Sequence, residues 1–227
     1  MHVLWDERDQ LVRAWGLTLE MILGAGVIAL VLGSLLAAMR VSPIRLARGI
    51  GTAYVYTVRN TPLLLIMLIF AFGLPNLGFR PEFELGDADL LTFNVFFVLA
   101  TCALGVYTAA FICEALRSGI NSIPLGQAEA ARSIGMTFGQ TLRLVILPQA
   151  FQAVIQPLAN ALIAMAKNSS LAAGVGVAEA AFLMNKLIND NATQLWPIFI
   201  GFALGYILIV AVIAGVAAFL ERKLRVA

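Results

Sequence analysis

Five stretches of this chain, residues 15–39, 53–74, 93–116, 142–166 and 196–220, stay apolar over close to the ~20 residues an α-helix needs to cross a bilayer. With 61% apolar and 12% charged residues in a length of 227, a soluble core cannot absorb them. The expected fold class is therefore an all-α membrane protein with five transmembrane helices in one domain spanning 1–227.

Charge placement orients these spans. The linker 40–59 holds Arg40, Arg45, Arg48 and Arg59 with no acid, whereas 75–92 sets Arg80 against Glu82, Glu84, Asp87 and Asp89. Basic loops stay cytoplasmic, so the first linker is expected inside and the second outside. Alternation then puts 117–143 and the basic tail 221–225 inside and 167–195 toward the outer half, with ten of the fifteen Lys and Arg residues cytoplasmic. The N-terminus is expected outside and the C-terminus inside. Asp6, Glu7 and Asp9 precede the first span, unlike the basic start of a cleaved signal peptide, so that span is expected to be retained.

Several chemistries lack their residues. The net charge of +2 gives no footprint for nucleic acid. Cys102 and Cys113 lie eleven apart in one apolar segment and read as core or lipid-facing residues; the single histidine is His2. Neither a metal site nor a catalytic residue is expected. A phosphate-binding loop requires Lys followed by Ser or Thr, but Lys167, Lys186 and Lys223 precede Asn, Leu and Leu. Any ATP and magnesium would belong to another chain.

Polar residues inside apolar stretches mark the candidate sites. In the fourth segment Pro148 and Pro157 remove backbone donors, and Asn160, Lys167, Asn168, Ser169 and Ser170 fall where a helix rising from the cytoplasm reaches the middle or outer membrane. Polar groups at that depth must face protein or a water-filled path. Snorkelling by Lys167 and capping by the serines is the purely structural alternative. Gly174 and Gly176 then break the chain before a short apolar helix with Glu179 near its start. Arg59-Asn-Thr-Pro62 opens the second span: Pro62 suits a first helical turn and Thr61 can satisfy an open backbone amide. Glu114 and Arg117, three apart, suit an ion pair. Glu20, costly in lipid, is expected near the outer interface, and the acidic run 82–89 reads as a solvated loop.

Residues 124–139 form a small-residue, polar island between the third and fourth spans. Ala128, Ala130 and Ala131 let a partner surface approach the backbone, Glu129 and Arg132 share one helix face, and Gly135 can take the positive φ that ends a helix. An ordinary surface helix would have the same spacing. The wider pattern is more specific. Glu129-Ala-Ala131, Gly135 and Leu147-Pro148, together with Tyr107-Thr-Ala-Ala-Phe-Ile-Cys-Glu114, Arg117-Ser-Gly-Ile120 and Lys167-Asn-Ser-Ser-Leu171, resemble the "EAA" permease subunits of bacterial ABC importers for polar amino acids. Met39-Arg-Val-Ser-Pro43 and Thr57-Val-Arg-Asn-Thr-Pro62 look like glutamate uptake permeases within that group.

The resemblance, covering roughly 15–220, implies a type I ABC importer permease fold with a cytoplasmic coupling helix near 124–139. It implies that Glu129, Ala130, Ala131 and Gly135 couple to an ATPase, and that Arg59, Thr61, Pro62, Glu114 and Arg117 brace the core. The implied partners are a dimer of ABC ATPase subunits, a second permease chain, identical or related, an extracytoplasmic solute-binding protein, membrane lipid and an amino acid cargo, glutamate first. Asn168 stands where many relatives carry Asp, and removing that charge would ease passage of an anionic side chain. An ion-coupled secondary transporter or channel subunit is the alternative, since broken helices and intramembrane charges occur there too. It leaves the Glu-Ala-Ala helix unexplained.

Overall fold

The computed structural model describes residues 5, 7–81, 83–84, 92–93 and 95–224. The acidic run 82–89, the N-terminal acids before Glu7 and the tail from Arg225 thus lie wholly or partly outside the described residues. The chain is helical almost throughout; a two-residue antiparallel pair, Phe83–Glu84 (β1) with Thr92–Phe93 (β2), is the one strand pairing among the described residues.

Helix α1 spans Arg8–Val41, longer than the expected 15–39 because its first turns carry Arg8, Asp9 and Arg13 ahead of the apolar run. It packs along α5, Val95–Asn121, and small residues set the distance. A Cβ on Gly33 would sit 2.7 Å from Ile112, and one on Gly105 would sit 2.7 Å from Ile28. Such gaps admit no methyl group, so glycine is what allows the backbones to approach; in lipid, where apolar surface gains nothing by leaving the solvent, this close contact supplies the attraction. Gly24 meets Thr101, Ile28 meets Gly105 and Gly33 meets Ile112, so α1 and α5 run parallel. Parallel neighbours require a complete crossing between them, and the second span provides it.

That crossing is not the continuous helix expected over 53–74. It consists of α2, Arg45–Arg59, then a helical run Leu63–Asn76 that leaves at 102°. Pro62 at the bend lacks an amide and disfavours the α conformation in the preceding residue, which stops α2. Thr61 acts opposite to expectation: its hydroxyl donates to the Thr57 carbonyl at 2.8 Å and closes the end of α2, while the Asn60 amide donates to Tyr56 O at 2.7 Å. The run after the bend comprises α3, Leu63–Leu68, a π-helical turn over Ile69–Gly73 and α4, Leu74–Asn76. Counting this bent pair as one span gives five crossings; the four other helices are each long and apolar enough to cross a membrane.

The polar island is likewise two helices: α6, Leu125–Ser133, and α7, Phe138–Thr141, separated by Gly135 at φ 88°. A capping box opens α7, with Thr137 Oγ1 accepting from Gln140 N and Gln140 Oε1 accepting from Thr137 N. A π-helical turn, Leu142–Ile146, leads into α8, Leu147–Asn168, which runs on as a 3₁₀ segment over Ser169–Val175. Pro157 sits inside α8, tolerated within one continuous helical run of residues 138–175. Gly176 at φ 87° turns the chain into α9, Ala180–Asp190. Helix α10, Leu195–Leu224, packs on α8 and α9 and leaves Leu204, Ile207, Leu208 and Val212 uncovered, as suits a helix whose solvent is lipid or another apolar chain.

The core follows from these contacts. Met21, Met67, Ala100, Leu104 and Ala166 form its centre. A second cluster, Ala180, Leu183, Ile198 and Phe202 with Trp15 and Tyr206, holds α9 and α10 to the start of α1.

Candidate functional site

The last turns of α1 and α2 and the last two to three turns of α5 bring four charged side chains together. Glu114 on α5 ion-pairs with Arg40 and, through the same Oε1, with Arg59 Nη1 at 3.8 Å; its Oε2 lies 3.4 Å from Arg117 Nη1. The sequence reading found the Glu114–Arg117 pair because both sit on one helix. Arg40 and Arg59 come from 74 and 55 residues upstream of Glu114, a contact made by the packing of three helices and invisible to local spacing. Three guanidiniums face one carboxylate, so the cluster keeps a surplus of positive charge. Arg40 is committed to Glu114, with 11% of its side chain exposed; Arg59, at 46%, lies over the Phe111 ring at 5.4 Å and still faces the open side.

That open side is a cleft of about 620 Å³, whose polar walls include Arg59, Glu114, Ser118, Asn160 and Asn168 and whose aromatic walls are Tyr107 and Phe111. Asn160 and Asn168 are eight residues apart on α8, just over two turns, so one helix face presents both to the cleft. The other residues proposed for the path go elsewhere. Lys167 is exposed and does not line the cleft. Ser169 is fully buried, and its hydroxyl donates to the Ala166 carbonyl at 2.8 Å; Ser170 donates to the Lys167 carbonyl at 2.8 Å. The two hydroxyls thus satisfy carbonyls where the helix tightens to 3₁₀, the structural alternative for these serines.

A second polar centre lies among α1, α9 and α10. Glu179 is fully buried and caps α9, accepting from the amides of Ala181 and Phe182, both at 2.9 Å. It also accepts from Tyr206 Oη at 2.9 Å and Thr18 Oγ1 at 3.3 Å, while Thr18 Oγ1 accepts from Ala180 N at 3.0 Å. One carboxylate thus ties the segment after Gly176 to the first and last helices. Sequence alone puts Glu179 near a helix start but does not show these partners; Thr18 and Tyr206, polar residues within apolar runs, are the signal it carries. Glu20 is turned toward protein: its Oε2 is buried with no hydrogen-bond partner among the described residues.

On α6, Glu129 and Ala130 are exposed and Ala131 is buried against the rest of the chain. The α6 sequence is short and polar on its outer side, with Ile134 and Leu125 exposed at its ends. Its exposed residues set the small Gly126 and Ala130 beside Gln127, Glu129 and Arg132. Among the described residues no three His, Cys, Asp or Glu side chains come together to hold a metal ion.

Residues 29–226 match the protein family described as binding-protein-dependent transport system inner membrane component. The chain belongs to this family of ABC importer permeases. Its curated relatives include the glutamate transport system permease protein GluC of Corynebacterium efficiens, 44% identical over 213 residues that cover 92% of both chains. The glutamate/aspartate import permease protein GltJ of Escherichia coli K12 is 35% identical over 92% of this chain and 84% of its own length. Among solved structures, that titled "Crystal structure of an amino acid ABC transporter with histidines" superposes with a TM-score of 0.81 at 26% identity, covering 97% of each chain. An inward-facing structure of the MetNI methionine ABC transporter has the same fold, with a TM-score of 0.72 at 23% identity over 97% of this chain and 99% of its own. Like other permeases of the family, this one is an all-α, multi-pass protein of the cell membrane. The ion-coupled alternative finds no support in these matches.

Proposed function

We propose that this permease imports glutamate, pairing with a second permease chain so that the cleft beside Arg59, Asn160 and Asn168 becomes one wall of the translocation path. A charged, zwitterionic cargo must exchange its water for fixed dipoles and charges, and the cleft offers two amides and the Arg59 guanidinium, with Arg40 and Arg117 adding positive charge behind Glu114 at its edge. The observation that carries the reading is this asparagine- and Arg59-lined cleft, bordered by the net-positive cluster around Glu114, in a chain whose relatives of 44% and 43% identity are named glutamate permeases. Asn168 in place of an acid keeps the wall from repelling an anionic side chain.

ATP hydrolysis belongs to a dimer of separate ABC ATPase subunits, which would carry the ATP and magnesium. Their groove receives α6, with Glu129 and Ala130 on its exposed face and Gly135 setting the turn that follows. The solute-binding protein delivers cargo from outside, where the N-terminus lies; the C-terminus and α6 are cytoplasmic. Arg59, Thr61, Pro62, Glu114 and Arg117 hold the bend and the cluster that shape the cleft.

The test is glutamate uptake by Asn168→Asp and Arg59→Ala variants of the complete transporter in vesicles, with stimulated ATP hydrolysis measured in parallel. Both variants are expected to lose uptake while hydrolysis persists. Unchanged glutamate uptake in both would overturn the assignment of this cleft.

A further inference from the structure

Three cavities adjoin one another along the side of the molecule that carries the cleft. The first, the cleft, shares Arg59, Phe111 and Glu114 with a second of about 350 Å³. The second shares Arg40, Thr52 and Tyr56 with a third of about 670 Å³, whose other walls include Arg45, Arg48 and Arg117. Five arginines therefore border one continuous surface against a single carboxylate, Glu114.

The sequence of α2 builds most of it. Arg45, Arg48, Thr52, Tyr56 and Arg59 follow one another at intervals of three or four residues, which at about 100° per residue confines them to an arc of about 80°. The stripe runs about 21 Å along the helix. Helix α2 contains no acidic residue, and Arg45 and Arg48 are both exposed. Arg48 donates to the carbonyls of Ser42 and Pro43 at 3.1 and 3.4 Å, which fixes its position beside the groove without neutralising its charge.

We propose that this stripe is a release track for the carboxylate of the cargo, leading it from Arg59 in the cleft past Arg40 and Arg117 to Arg45 and Arg48 at the aqueous end. The proposal rests on the reading of the cleft as the cargo path. A row of separate cations provides several weak stops in place of one deep trap, which conduction requires, and a groove with five arginines against one carboxylate raises the local concentration of its counter-ion. The shared walls favour this over a lipid headgroup site, because a site built only for headgroups would have no need to open into the cleft.

The experiment uses the complete transporter in vesicles with its ATPase and binding protein, comparing wild type with Arg45→Gln/Arg48→Gln and Arg45→Lys/Arg48→Lys double variants. The glutamine pair is expected to lower glutamate uptake about fivefold or more, with stimulated ATP hydrolysis within about twofold of wild type. The lysine pair is expected to restore uptake. The same loss is expected in phosphatidylcholine vesicles with and without phosphatidylglycerol. Unchanged uptake, an equal fall of uptake and hydrolysis, or a loss seen only with the anionic lipid would overturn the track, the last assigning the stripe to headgroups. If wild type itself takes up no glutamate, the cargo reading fails, and the track fails with it; if wild type transports and only the variants behave otherwise than expected, the track fails alone.

Discussion

Replacing Glu179 by Ala should be the most destabilising single change where α9 and α10 pack on the start of α1. The substitution removes an N-cap that accepts from two amides, a loss of about 0.5–2 kcal/mol. It also leaves the Tyr206 hydroxyl without its acceptor in a half-buried setting, worth about 1–3 kcal/mol. Thr18 loses less, because its hydroxyl lies 3.0 Å from the Ala14 carbonyl as well. The combined expectation is about 1.5–5 kcal/mol. Glu179→Gln keeps one acceptor oxygen for the cap and should cost less than half as much. Tyr206→Phe should be nearly silent in the Glu179→Ala background, although it is costly alone, because the two groups share one bond. The assay is denaturant-induced unfolding of the purified protein in detergent, followed by tryptophan fluorescence, since Trp15 stacks on Phe202 at 5.9 Å beside this network. A midpoint for Glu179→Ala equal to wild type, or strict additivity with Tyr206→Phe, would refute the reasoning.

Three other outcomes follow from the geometry. Gly135→Val puts a β-branched side chain at φ 88°, costing more than about 1 kcal/mol; it should abolish binding-protein-stimulated ATP hydrolysis while membrane insertion and purification yield persist. Gly33→Leu forces a side chain into Ile112, 2.7 Å from the added Cβ, and should separate α1 from α5; a thermal midpoint equal to wild type would contradict the packing account. Single cysteines replacing Glu84 and Arg225 in a cysteine-free background should react with an impermeant thiol reagent in intact cells at 84 only.

The parts legible in the sequence were those written in local periodicity. Apolar runs of membrane length gave the spans, and the Gly-x-Gly pair at 174 and 176 marked the break after α8. Glu129 to Gly135 marked the short helix between spans. The bend at Pro62 is less legible: Pro62 suits a helix start, yet the apolar run 53–74 passes straight through it. Apolar content continues across the bend, and hydropathy does not sense direction. The cluster around Glu114 was half legible, since Arg117 is one turn away while Arg40 and Arg59 meet it only after α1, α2 and α5 pack. Polar residues 160 and 167–170 group together by position along the chain. Rotation about the helix separates them, sending Asn160 and Asn168 to the cleft and Ser169 to the core.

The central claim, that this chain is the permease of an ATP-driven glutamate importer, is tested most directly by uptake of labelled glutamate into vesicles containing the permease, its ATPase and its binding protein. The account predicts uptake with ATP inside the compartment facing α6 and none with a sodium or proton gradient alone. Uptake driven by an ion gradient without ATP would contradict it.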